Sequence, residues 1–111
     1  MKEQILKHTR DWIRDLQKYT TDEYERQIEL LLQRFQQWLK ANPNDAYISV
    51  HHERIIFYVK TEKYDEKLTD KLSNLDVEIA NDPGLSLINC NVMESPSPAL
   101  LSPNVWKFEL E

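Results

Sequence analysis

Ile55-Ile56-Phe57-Tyr58-Val59 is the run of sequence that decides the fold. Five consecutive large side chains, each β-branched or aromatic, fit a pleated backbone better than a helix. Apolar residues at both odd and even positions call for cover on both faces, as in a central strand.

Working upstream, Tyr47-Ile48-Ser49-Val50 reads as a partner strand, with His51-His52-Glu53 as the turn into Arg54–Lys60. That turn lacks the usual Gly or Asn, so a single long bent strand is the alternative. Asn42-Pro43-Asn44-Asp45 puts a pre-proline residue and turn formers together, which separates this region from what precedes it.

Working downstream, a helix starts at Tyr64 or Asp65 and carries Leu68, Leu72, Leu75 and Ile79 at spacings of four, three and four. Asn81-Asp82-Pro83-Gly84 ends it, with Gly84, the only glycine, where a helix terminates and turns. Leu85 to Glu94 reads as a third strand, with Ile88, Cys90 and Val92 on one face and Leu87, Asn89, Asn91 and Met93 on the other. Strand, helix and strand in succession predict a right-handed crossover and a parallel pair. Ser95-Pro96-Ser97-Pro98 is a spacer, because proline donates nothing to a ladder. At the C-terminus Trp106, Phe108 and Leu110 alternate with Val105, Lys107 and Glu109, the period of a strand buried on one face. An undocked end rarely carries two aromatics, so this tail is predicted to be ordered, by pairing within its own chain or with another subunit.

The first 41 residues are helical in period. Ile5, Thr9, Trp12, Leu16 and Tyr19 form one stripe, widened by Ile13, and Tyr24, Ile28, Leu31, Phe35 and Trp38 form a second, flanked by Leu32 and Leu39. The five-residue step from Tyr19 to Tyr24 rotates the stripe by roughly 90°, so one straight rod cannot keep both on one face. Thr20…Glu23 has the form of a capping box, and a kink or tight hairpin is placed at residues 19 to 22, the hairpin preferred.

The pattern is α+β, ααββαβ with a further C-terminal strand, in a single domain over residues 1–111. It comprises a helical hairpin at 1–41, a ββαβ unit at 46–94, and a Pro-broken spacer and strand at 95–111. With 111 residues, 41% hydrophobic and 30% charged, the chain is large enough to bury a core without metal or disulfide. No apolar run approaches a membrane span, and the N-terminus has no apolar signal region, which predicts a cytoplasmic protein.

The net charge of −5 is unevenly placed: residues 1–43 carry eight Lys/Arg against seven Asp/Glu, residues 44–111 six against twelve. Such an acidic balance argues against a nucleic-acid partner, which requires clustered cations. One glycine excludes the Walker loop, the dinucleotide fingerprint and the nucleophile elbow, each of which needs at least two. No cofactor is predicted. One cysteine, Cys90, excludes an internal disulfide and a Cys-rich zinc site. Adjacent His51 and His52 point to opposite sides of an extended chain and cannot chelate one ion, so no metal site is predicted. The carboxylates Asp65, Asp70, Asp76, Glu78 and Asp82 suit a solvated helix surface.

The aromatic stripes remain. Trp12, Tyr19, Tyr24, Phe35, Trp38, Trp106 and Phe108 offer more apolar surface than a small sheet covers, which predicts a non-catalytic, self-associating interaction module: a homodimer, or one bound to another protein. The opposing expectation is a small enzyme with a polar site on the sheet, using His51 or His52 with Tyr58, Asn89 and Asn91.

Overall fold

The computed structural model describes residues 1–9, 18–51, 54–97 and 104–108, with the side chains of 18–20 excepted. Its element order is α1 (Lys2–His8), α2 (Lys18–Ala41), β1 (Ala46–His51), β2 (Arg54–Lys60), α3 (Glu66–Ala80), a 3₁₀ turn (Pro83–Leu85), β3 (Asn89–Ser95) and β4 (Val105–Lys107). The four strands form one mixed sheet in the order β3-β2-β1-β4, and the chain is α+β.

The β2 strand is interior, as its apolar run requires. It pairs antiparallel with β1, Ile48 opposite Phe57 and Ser49 opposite Ile56, and parallel with β3, Phe57 beside Val92. The pairing of His51 with Arg54 makes β1 and β2 two strands, which removes the single bent strand. On one side of this sheet Ile48, Val50, Ile55, Phe57 and Val59 are fully buried, with Cys90, Val92 and Trp106 packed against them.

The three described helices lie on that side. Phe35 of α2 stacks on Phe57 with ring centroids 4.0 Å apart, and Trp38 meets the same ring edge-on at 6.5 Å. Arg34 of α2 reaches Asp82 at 2.7 Å and Glu78 of α3 at 3.6 Å. Helices on opposite faces would be separated by roughly 20 Å of sheet and side chains, so these contacts put α2 and α3 side by side. Lys2 of α1 pairs with Glu29 of α2 at 2.6 Å, and His8 packs on Trp106, which places α1 in the same layer.

Of the cover expected on both faces, the described helices supply that of one. On the other, Ile56 is half-buried and Tyr58 is 8% exposed, yet no described helix lies over them. Tyr58 sits between its cross-strand neighbours Tyr47 and Met93, and such neighbours shelter part of a large side chain.

The N-terminal half differs from the expectation in its break point. The backbone is helical without interruption from Lys18 to Ala41, through the supposed turn at 19–22. Glu23 does not reach back as a capping box requires. Its carboxylate accepts from Arg26 Nε at 2.8 Å and Gln27 Nε2 at 3.1 Å, the i+3 and i+4 contacts of a continuing helix. Those hydrogen bonds hold its carboxyl at about 2, well below the usual range. Helix one, expected to reach Tyr19, ends at His8, where Thr9 donates its N–H and its hydroxyl to the Ile5 carbonyl. Residues 10–17, with Trp12, Ile13 and Leu16, lie outside the described residues.

The helix expected at Asp65 begins there: Asp65 is the N-cap, its carboxylate accepting from the Lys67 and Leu68 N–H groups at 3.0 and 3.2 Å. Its end falls in the expected Asn81–Gly84 stretch, but not on the glycine. Asn81 closes α3, and Gly84 lies in the following 3₁₀ turn with its N–H donated to the Asp82 carboxylate at 2.8 Å, without the left-handed backbone of a glycine helix stop. Consequently β3 starts at Asn89, four residues later than expected, because Pro83–Leu85 is taken up by the turn.

The C-terminal strand resolves in favour of its own chain. It pairs antiparallel with β1, Ile48 opposite Trp106, and Phe108 donates its N–H to Ala46 at 2.8 Å. Leu110 lies outside the described residues.

Candidate functional site

The aromatic residues expected to bind a partner are divided by the structure. Tyr24 and Phe35 are fully buried and Phe108 is 7% exposed. Phe108 lies edge-on to both Phe57, at 6.0 Å, and Phe35, at 6.3 Å. Trp38 and Trp106 are half-buried against the same core. Packing within the chain occupies these five, because the sheet's inner face is larger than the sequence pattern implied once β4 widens it. Trp12 and the side chain of Tyr19 lie outside the described residues.

The polar set expected of an enzyme falls on the outward face, but spread out. His51, Asn89 and Asn91 stand at the hairpin end, where Arg54 donates to the Asn91 side-chain oxygen at 3.1 Å. Tyr58 is two cross-strand rungs from Arg54, about 13 Å along the strand. His52 lies outside the described residues. Cys90 occupies the inward face beside Ile55, so the sheet separates it from His51. Burial pushes its thiol up to about 12, reinforced by the Asp76 carboxylate, and a neutral thiol is neither nucleophile nor metal ligand. Among the described residues no group of three or more His, Cys, Asp or Glu is placed to hold a metal ion, and no helix is long and apolar enough to cross a membrane.

Three of the carboxylates expected on a solvated helix surface, Asp65, Asp76 and Asp82, accept structural hydrogen bonds, as does Glu94 of β3. The Asp76 side chain accepts the N–H of Val92 at 2.9 Å, occupying a donor of the edge strand β3 that β2 does not use, and Thr69 of α3 donates to Glu94 at 3.1 Å. Asp65 and Asp82 are caps. Sequence reasoning missed Gln27, 2% exposed, whose side-chain oxygen accepts the Leu87 N–H at 2.7 Å and so fastens α2 to the segment entering β3. Its position between Tyr24 and Ile28 on the buried stripe was the available signal.

Two surfaces remain. One is an open cleft of about 440 Å³ between α1 and α2, floored by Leu32 and Phe108 and rimmed by Gln33, Gln36 and the Lys2–Glu29 pair. Glu3 also lines it, and no group of three or more metal-binding side chains gathers there among the described residues.

The other is the outward sheet face. Met93 is 49% exposed there and Asn89 is exposed at the other end of β3, while Ile56, Asn91, Val105 and Tyr47 are half-buried and Ser49, Tyr58 and Ser95 are buried. Its outward-facing register positions include Arg54, Lys60 and Lys107, and no Asp or Glu on the described strands. The nearest acid in register is Asp45, just before β1, whose carbonyl accepts from Lys60 N–H. On the helical side Lys2, Arg26 and Arg34 are in ion pairs, while Lys7, Lys40, Lys67 and Lys71 form none among the described residues. No protein family, no curated protein and no solved structure matches this chain.

Proposed function

We propose that the chain is a non-catalytic, cytosolic protein-interaction module whose binding surface is the outward face of the sheet. The observation that carries this reading is the placement of all described helices on one face. It leaves Met93 half-exposed on the other, among half-buried apolar groups and cations that form no ion pair among the described residues. Half-exposed apolar side chains framed by charge are the composition of a recognition surface. The dispersed positions of His51, Tyr58 and Asn91 supply no comparable support for an enzyme.

Self-association belongs to the same proposal, but by a different surface. Two outward faces meeting about a two-fold axis would oppose like charges. The outer edge of β4 offers the route to a homodimer: Asn104 and Phe108 direct their main chain at β1, so Val105 and Lys107 direct theirs away.

Two measurements test the reading. Affinity capture from the source cell should recover a protein with the wild type and lose it with Met93→Asp; equal recovery by both removes the outward face. Light scattering should give twice the 13.3 kDa chain mass, reduced to one chain by Val105→Pro, whereas a monomer at every concentration ends the homodimer.

A further inference from the structure

We infer that the β2–β3 half of the outward sheet face takes an acidic segment of a partner protein, its carboxylates meeting Arg54 and Lys60 and an apolar side chain lying over Met93. This rests on the interaction-module reading and names the chemistry of its partner. Arg54 and Lys60 stand at the two ends of β2 on one face, about 20 Å apart at the usual rise of a strand. Between them the exposed surface is Met93, beside Asn91 and the half-buried Ile56.

Neither cation forms an ion pair among the described residues; Arg54 is held only by the Asn91 amide oxygen at 3.1 Å, which orients the guanidinium without neutralising it. In a chain with five more acids than bases, a stretch of sheet whose two cations form no ion pair among the described residues, with Asp45 opposite Lys60 the one acid in register there, is complementary to negative charge.

A nucleic acid fits less well. Two cations so far apart do not track consecutive phosphates, and Tyr58 is too buried to stack a base. An acidic protein segment needs one carboxylate at each end and an apolar residue between. Extended along β2, those carboxylates are about six residues apart. On a helix they are about thirteen apart.

The probe is a fluorescein-labelled oligoglutamate peptide with a central leucine, followed by anisotropy, beside the same peptide with Gln for Glu and a labelled single-stranded oligonucleotide. The Glu peptide should bind, the Gln peptide should not, and affinity should fall about tenfold or more from low to high salt. Arg54→Gln with Lys60→Gln should weaken binding roughly tenfold or more, while Lys40→Gln with Lys67→Gln, an equal charge change on exposed helix positions, should leave it near the wild-type value. Met93→Ser should weaken binding without altering its salt dependence.

Equal effects of the two double variants, equal binding of the Glu and Gln peptides, or tighter binding of the oligonucleotide each overturns the acidic-segment assignment. If no peptide binds but Met93→Asp still loses its captured protein, the assignment falls and the interaction module stands. If capture is indifferent to Met93→Asp, the module reading itself falls.

Discussion

Phe57 is the side chain on which most of the core converges. It is fully buried, stacked on Phe35 and met edge-on by Trp38 and Phe108. Phe57→Ala should lower stability by about 3–5 kcal/mol, the cost of emptying a buried aromatic site, as read in denaturant melts. A loss below about 1 kcal/mol would remove the aromatic cluster as the centre of the core. Cys90 gives a second prediction, with a defined sign. Its folded-state thiol, at about 12, lies above the ordinary value of about 8.5. The neutral form therefore favours folding below about pH 8.5, and this contribution is lost as pH rises from there toward 12. Iodoacetamide at pH 8 should modify native Cys90 roughly a hundredfold or more slower than the urea-unfolded chain, followed by mass spectrometry. Comparable rates would show that the thiol is not desolvated.

Among the elements, β4 carries the clearest consequence. Three residues of strand make little ladder, but Trp106 and Phe108 bring two aromatic side chains to the core. Deleting residues 104–111 should lower the melting temperature by on the order of ten degrees, since loss of a buried Phe alone costs about 3–5 kcal/mol. An unchanged melting temperature would place the tail outside the fold. The helix α3 has a separable start: Asp65→Ala removes two hydrogen bonds to the first turn and should cost about 1 kcal/mol, measured by the same melts. Both elements were legible in the sequence because their signals are local. An Asp two and three residues before the amides it caps, and aromatics alternating along a strand, need no knowledge of distant residues. The unbroken course of α2 was not. The Tyr19-to-Tyr24 phase step and Thr20…Glu23 both suggested a break, but a capping box competes with i+3 and i+4 pairs, and Arg26 and Gln27 take the Glu23 carboxylate instead.

For the whole molecule, stability should be independent of bound metal. His51 and Cys90 face opposite sides of the sheet, and the sulfur is held neutral by burial. EDTA should leave the melting temperature unchanged, and a large downward shift would require a ligand set the described residues do not form. Arg54, Lys60 and Lys107 share the outward sheet face and form no ion pair among the described residues, whereas on the helical layer Lys2, Arg26 and Arg34 are paired and Lys7, Lys40, Lys67 and Lys71 are not. That shared face, invisible in a net charge of −5, supports the proposal that the sheet rather than the aromatic stripes meets other molecules.

The sequence alone determined the α+β class, the central β2 strand, the parallel β2–β3 pair around α3, and the absence of glycine-based phosphate loops, since each follows from spacing, period or count along the chain. Only the tertiary structure decided which aromatic residues are interior. Tyr24, Phe35 and Phe108 have the same periodic signature whether they face a core or a partner, and only the position of β4 beside β1 closed the core over them. It likewise decided that three cations share one face. Arg54 and Lys60 share a strand, but Lys107 joins them only through the register of β4 with β1, a pairing between residues about 60 apart that no local pattern encodes.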